Sequence, residues 1–399
     1  MRKERNETKT INETPALRRL GAFVGAALSA NKTTVGAMAL LLLASQASAD
    51  PFSFSTGDPD GKIATLSRPS SPGKLQTETA DDFVATQAVV ISQATFTGLL
   101  PLGAALTSIS DVEIEIYHVF PGDSANPPSG NVLTRMNSPA DVEIDSATRD
   151  SADGSLTFSA TLVNQSFSVL NSVVNGINKH PNEKTDGEGA VTGEEVLITV
   201  QFNPPISLPA NHYFFRPEVL LSSGDFLWLS APRPIVTPGT PFLPDLQSWI
   251  RNDNLAPDWL RIGTDITLQG PFNASFSLSG ETDADGDGVG DSLDQCPDSA
   301  AGDVVNAQGC SIDQLVPCSG PVSGGTWKNH GQYVSAVAHV SQTFVNQGLI
   351  SGAEKGQIVS EAARSSCGKS KNGAKSKHGV RSKKKKKHHG ARHHKHRSS

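Results

Sequence analysis

The stretch Asp111-Val-Glu-Ile-Glu-Ile-Tyr-His-Val119 decides the fold class, because polar and apolar residues alternate along almost all of it. Such alternation is typical of a β-strand with one buried and one solvated face. Gly- and Pro-rich turns separate it from similar runs, namely Leu156–Leu162, Val196–Phe202, Tyr213–Phe215, Phe226–Leu229 and Phe272–Leu278. The pattern predicts a mainly β fold, with a β-sandwich or jelly roll over residues 81–280.

Several stretches of this region resemble a jelly-roll-like domain of exported bacterial proteins. They are Ala80–Phe83, Ala94–Pro101, Val112–Tyr117, Val191–Val196 and Asp225–Pro234. The resemblance implies a jelly-roll-like sandwich and export rather than a particular activity. Residues 50–80, rich in Ser, Thr, Gly and Pro, are expected to form a lead-in segment before the sandwich.

The acidic run Asp283-Ala-Asp-Gly-Asp-Gly-Val-Gly-Asp-Ser-Leu-Asp294 has the ligand spacing of a calcium loop. Calcium takes six to eight oxygen ligands, and a glycine at position 6 allows the sharp turn that such loops need. Gly288 stands at that position. The sequence therefore predicts a Ca²⁺ site, the alternative being a solvated acidic turn. Its predicted ligands are the carboxylates of Asp283, Asp285, Asp287, Asp291 and Asp294 and the backbone carbonyl of Val289.

The flanks distinguish this loop from an EF-hand, which needs a helix on each side. The strand-like run Phe276–Gly280 precedes it, and Pro297 follows three residues after Asp294. The pattern resembles a thrombospondin type 3 repeat over about residues 281–310, which implies calcium binding. Such repeats usually occur in arrays, whereas this chain has one. Residues 295–310 also look like the calcium-binding linkers of outer-membrane-protein-A-like proteins, where such repeats act as stiff spacers. We expect residues 281–317 to form one calcium-loop segment.

The four cysteines all lie after residue 290. An even number in an exported chain implies disulfides, and three pairings are possible. We favour Cys296–Cys310, which closes the segment after the acidic loop, and Cys318–Cys367, which brackets two predicted helices. Metal-binding thiolates are the alternative, but the sequence contains no C-x-x-C pair.

Residues 318–367 change to a helical period. Apolar residues recur at intervals of three or four between Tyr333 and Val345, and Gly348 marks the end of this helix. Ser351-Gly-Ala-Glu354 is a capping box that opens a second helix. These features predict a small helical hairpin, the helical cap, closed by Cys318–Cys367.

The two ends of the chain differ from its acidic body, in which Asp50–Cys367 carries 14 Lys and Arg against 37 Asp and Glu. Residues 1–49 are predicted to be a signal peptide, with a short apolar core and the small-residue cleavage motif Ala47-Ser-Ala49; an uncleaved anchor is the alternative. Residues 368–399, the basic tail, carry 13 Lys and Arg, six His and no acid, and are expected to be disordered. The candidate partners of the tail are a polyanionic surface polymer or nucleic acid, bound non-specifically, or the acidic body of a neighbouring copy. The alternative is a tail that is merely solubilising.

Trp228, Trp249 and Trp259 lie in or beside a Pro-rich region and are candidate saccharide-binding residues, unless they pack a long loop onto the sheet. No nucleophile-elbow, zinc-protease or P-loop motif occurs, so we predict no enzyme activity. The mature chain is expected to have no transmembrane segment. The sequence thus favours a secreted or cell-surface calcium-binding protein with a structural or adhesive role. A lectin-like adhesin is the alternative, and an extracellular hydrolase is the third choice.

Overall fold

A computed structural model describes residues 51–124, 129–178, 184–232, 246–300 and 302–369. The predicted signal peptide, and all of the basic tail beyond Lys369, lie outside the described residues.

The described residues form a nine-stranded sheet and a seven-stranded sheet. In chain order the strands are β1 Pro51–Ser55, β2 Ile63–Leu66, β3 Thr77–Ala85, β4 Val89–Leu100, β5 Ile109–Val119, β6 Pro139–Glu143, β7 Arg149–Asp150, β8 Leu156–Val169, β9 Asn171–Val173, β10 Val191–Leu208, β11 Asn211–Leu221, β12 Leu227–Ala231, β13 Trp249–Asn252, β14 Leu260–Arg261, β15 Asn273–Ala274 and β16 Phe276–Thr282. The first sheet has the order β1-β16-β4-β12-β2-β9, with β10 pairing both β4 and β8, and β15 pairing β12. The second has the order β14-β13-β3-β11-β5-β6, with β7 beside β5.

The core lies between the sheets, where aromatic side chains of both meet. The ring of Phe215 on β11 lies 6.3 Å from that of Phe96 on β4 and 6.0 Å from that of Trp228 on β12. All three side chains are buried. The alternating strand patterns place these apolar residues on the inner faces, and burial of apolar area is the dominant favourable contribution to folding. The predicted mainly β, jelly-roll-like sandwich is confirmed.

Residues 50–80 are not a lead-in, because they contribute strands to both sheets. β1 pairs with β16 through Pro51↔Glu281 to Ser55↔Ser277, and β2 pairs with β12 and β9. β3 already begins at Thr77. The Ser, Thr and Pro content suggested irregular structure, but pairing with distant strands decides the conformation of such short segments.

Three helices follow the sandwich: α1 Ile312–Leu315, α2 His330–Asn346 and α3 Gly352–Arg364. The predicted capping box is confirmed, since Ser351 accepts the N–H of Glu354 while the Glu354 carboxylate accepts that of Ser351. Apolar residues of α1, α2 and α3, among them Ile312, Val337 and Ala362, share one small core. Among the described residues, no helix is long and apolar enough to cross a membrane.

Candidate metal centre

The acidic loop directly continues the last strand of the sandwich. The backbone N–H of Asp283 donates to the carbonyl of Ala88, in the turn between β3 and β4, at 3.0 Å. Asp291 donates its N–H to Thr282 at the end of β16 at 3.0 Å. The carboxylate of Glu281 accepts the hydroxyl of Ser292 at 2.6 Å. Because both ends of the loop are hydrogen-bonded to the sandwich, its position relative to the sheets is fixed.

Asp283 organises the first turn of the loop from a buried position. Its carboxylate accepts three backbone N–H groups, from Gly286 at 2.9 Å, Asp287 at 3.2 Å and Gly288 at 2.9 Å. Gly288 has a φ of 94°, in the left-handed region that residues with a side chain rarely adopt. This backbone conformation explains why a glycine occupies the sixth position of the loop.

Asp283, Asp285 and Asp287 bring one carboxylate oxygen each to within 4.8 Å of one another. One oxygen of Asp285 accepts the N–H of Ser299 at 2.7 Å, and one of Asp287 accepts that of Val289 at 2.9 Å. The other oxygens, Asp285 Oδ1 and Asp287 Oδ2, are buried without a hydrogen-bond partner. A buried acceptor without a partner is costly, so this pair is where a cation would be most stabilising.

Asp294 lies close to the same group. A Cβ placed on Gly309 would collide with Asp294 Oδ1 and come within 3.1 Å of Asp287 Oδ2, so the two carboxylates border the same glycine. Burial raises the pKa of Asp294, and the carboxylates of Asp287, Asp285 and Asp283 raise it further. Burial likewise raises the pKa of Asp283, which its backbone hydrogen bonds oppose and the neighbouring aspartates reinforce. These shifts show a concentration of negative charge around one small volume.

The carboxylate of Asp291, another predicted ligand, makes contacts outside this group. Asp291 accepts the N–H of Ala284 at 2.7 Å with one oxygen and the hydroxyl of Thr282 with the other. Its carboxylate therefore ties the loop to the sheet and is not one of the three that come together. Val289 contributes its N–H to Asp287.

No basic side chain balances these carboxylates within the described ranges. The salt bridges found there all lie in the sandwich, and none includes a residue of 283–294. The donor set is all oxygen, which suits a hard cation such as Ca²⁺ or Mg²⁺ rather than a softer transition metal. The residues that fit a metal best are Asp283, Asp285 and Asp287, with Asp294 beside them.

A short chain of hydrogen bonds connects the acidic loop to the helical cap. Ser299, whose N–H binds Asp285, uses its hydroxyl to contact the Gln314 side chain at 2.9 Å. Gln314 belongs to the capping box that begins α1 at Ser311. Ile312 of α1 packs in the same core as Tyr333 of α2. The acidic loop thus contacts the sandwich on one side and, through Ser299, the short helix α1 on the other, and α1 packs against the helical cap.

Both favoured disulfides are present. Cys296–Cys310 has a Cα–Cα distance of 5.0 Å and closes the segment that follows the acidic loop. Cys318–Cys367 has a Cα–Cα distance of 4.9 Å and joins the two ends of the cap. The two ring nitrogens of His330 lie within hydrogen-bond distance of two carbonyl oxygens, Nδ1 at 2.8 Å from that of Cys367 and Nε2 at 2.9 Å from that of Ala363, which gives His330 a structural role at this closure.

The three tryptophans do not form a saccharide platform. Trp228 is 0% exposed, Trp249 2% and Trp259 0%. The Trp228 indole lies between the sheets and donates to the carbonyl of Ser275 at 2.9 Å. Trp249 and Trp259 pack with Tyr117 on the outer face of the second sheet. Since stacking on a sugar needs an exposed ring face, the expected saccharide site at these residues is wrong, and they are core residues.

A buried charge cluster around Arg216, on the outer face of the second sheet, was not predicted from the sequence. Arg216 lies 2.6 Å from the Glu218 carboxylate, 3.5 Å from that of Glu78, and in direct contact with that of Glu115. Burial raises the pKa of Glu218 to about 8; Arg216 opposes the shift, and the nearby glutamates add to it. The signal for this cluster was the complementary pattern of Glu113-x-Glu115 and Arg216-x-Glu218, which become neighbours when β5 pairs with β11.

Comparisons of the chain with protein families, with curated protein sequences and with solved structures find no match.

Proposed function

We propose that this chain is an exported, non-catalytic calcium-binding protein with a structural or adhesive role, in which the ion stabilises the junction between the β-sandwich and the helical cap. One observation carries the proposal. Asp285 and Asp287 each hold a buried carboxylate oxygen without a partner, in a group of three aspartates with no neighbouring cation among the described residues. The resemblance of residues 281–310 to a thrombospondin type 3 repeat favours calcium over magnesium as the ion.

The hydrogen bonds around the loop suggest what the ion would do. A bound ion would fix Asp285, whose second oxygen holds Ser299, and Ser299 in turn contacts α1 through Gln314. On the side of the sandwich, the backbone N–H of Asp283 donates to the turn between β3 and β4, and that of Asp291 donates to the end of β16. Without an ion, the carboxylate oxygens of the loop repel one another. A bound ion would attract all of them and hold them together. Calcium would therefore stiffen the connection between the two parts.

Export is supported by the disulfides, which form and persist in oxidising compartments. The predicted signal peptide over residues 1–49 supports the same proposal, that the protein is secreted or cell-surface. Extracellular calcium modules bind with dissociation constants of about 0.1–1 mM, so such a site would be filled outside the cell and empty inside it.

Limited proteolysis of the full chain tests the stiffening. Proteinase K cleavage between residues 283 and 295, where Leu293 is 67% exposed, should be slower in millimolar calcium than in chelator. The double variant D285N/D287N should be cut equally in both, because asparagine keeps the bonds to Ser299 and Val289 while removing charge. The variant E143Q/D145N removes two exposed carboxylates of the sandwich and should behave like the parent. Equal cleavage of the parent with and without calcium contradicts the proposal.

A further inference from the structure

A groove of about 490 Å³, the cap groove, lies between the helical cap and the residues from Asp303 to Asp313 that precede it. Its floor is apolar and includes Tyr333 and Val337 of α2 and Ile350, which immediately precedes the capping box of α3. One wall is α1, and the opposite wall is α3. The groove is separate from the acidic loop and from the sandwich.

The rim of this groove is acidic. Asp303, Asp313, Glu354 and Glu361 line it and are exposed, and no lysine, arginine or histidine is among the lining residues. Glu354 and Glu361 are seven residues apart on α3, about 10 Å along one helix face. Burial raises the pKa of Tyr333 on the floor, and the carboxylate of Asp313 adds to the shift, so the negative potential reaches into the groove. Within the described part of the chain, none of the four acids has an ion-pair partner.

The basic tail leaves the cap beside this groove. α3 ends at Arg364, and the next residue, Ser365, is part of the groove lining. The chain then turns, with the N–H of Lys369 donating to the carbonyl of Ser366 at 3.1 Å. From Gly368 to Ser399 the sequence has 13 Lys and Arg, six His and no acid. A strongly cationic segment therefore starts within a few residues of a four-carboxylate rim.

We propose that the cap groove binds the basic tail of the same chain. Lysine suits both parts of the groove, because its aliphatic stem covers apolar surface while its ammonium group reaches the carboxylates of the rim. Tethering raises the local concentration of the tail to the millimolar range, so weak ion pairs are sufficient for docking. The docked tail is withheld from external polyanions and is released by salt, which screens exposed charges.

Zero-length carbodiimide coupling of the full chain at low protein concentration tests this docking, with the products mapped by mass spectrometry. Amide links from tail lysines should concentrate on the four rim acids in the monomer. In D313N/E361Q, links to the retained Asp303 and Glu354 should decrease, whereas E143Q/D145N should match the parent. Links spread evenly over the acidic body, or links found only between two copies, overturn the proposal.

A polyanion column provides a second readout. D313N/E361Q and E143Q/D145N lose the same two negative charges, so non-specific attraction to immobilised heparin is equal for both. The groove variant should elute at higher salt than its control, because its tail is no longer docked. Elution of the two variants at the same salt concentration overturns the proposal.

Discussion

Neutralising Asp285 and Asp287 should abolish the effect of calcium on the local stability of the acidic loop. In the parent, three carboxylate oxygens lie within 4.8 Å of one another. Two unit charges at that distance repel by roughly 0.9 kcal/mol in water and about 3.5 kcal/mol at an effective dielectric constant of 20. D285N/D287N removes this repulsion and keeps the acceptor atoms, so without calcium its loop should open no more readily than that of the parent.

In calcium, the loop of the parent should open less readily than the loop of D285N/D287N. With a dissociation constant of about 0.1–1 mM, 10 mM calcium stabilises the closed loop by about 1.4–2.7 kcal/mol. This corresponds to a slowing of amide exchange by about 10- to 100-fold. The amides to follow are those of Gly286, Asp287 and Gly288, because all three donate to the Asp283 carboxylate and exchange only when that turn opens.

Hydrogen exchange read by mass spectrometry on peptides covering residues 283–291 measures both effects. The parent should show the slowing in calcium, and E143Q/D145N should match it, while D285N/D287N should change by less than about twofold. A parent loop that exchanges at the same rate in 10 mM calcium and in chelator refutes the reasoning, as does a double variant that keeps the full response.

Three further predictions concern the repeat, the sandwich and the cap. Gly309→Ala should weaken calcium binding, because the added Cβ would collide with Asp294. Gly302→Ala is the control: Gly302 has a similar positive φ but open space around it, so this variant should bind calcium as the parent does. Titration calorimetry compares the two variants. Because burial raises the pKa of Glu218 to about 8, the unfolding free energy should fall as pH rises from about 4.5 to 8, by up to about 1.4 kcal/mol per unit. Glu218→Gln, which resembles the protonated side chain, should lose that slope in urea unfolding followed by tryptophan fluorescence; parallel pH profiles contradict the assignment. Replacing Cys318 and Cys367 by serine should cost the cap roughly 4 kcal/mol and reduce helical circular dichroism at 37 °C without unfolding the sandwich; unchanged helicity contradicts this.

Local patterns predicted the elements whose conformation is decided locally. The alternation from Asp111 to Val119 appears as β5, and Ser351 begins α3 through the expected capping box. Both favoured disulfides are also present, although the sequence allowed three pairings. For β5 and for the start of α3, the deciding interactions lie along one strand or within one helical turn.

Features that depend on distant pairing were not predictable in the same way. β1 lies in a segment rich in Ser, Thr, Gly and Pro, and it is a strand because it pairs with β16, more than 200 residues away. Trp249 and Trp259 follow a Pro-rich stretch, yet their rings are buried against Tyr117 of β5. At the candidate metal centre, the spacing indicated which aspartates could come together. The spacing did not indicate that the Asp291 carboxylate accepts hydrogen bonds from Thr282 and Ala284, because those contacts depend on how the loop returns to β16.

Titration calorimetry with calcium on the full chain tests the central claim most directly. The account predicts saturable binding with a dissociation constant of about 0.1–1 mM, weaker binding of magnesium, and loss of the calcium signal in D285N/D287N but not in E143Q/D145N. Absence of calcium binding by the parent, or calcium binding that survives in D285N/D287N, would contradict the assignment of the acidic loop as the metal centre.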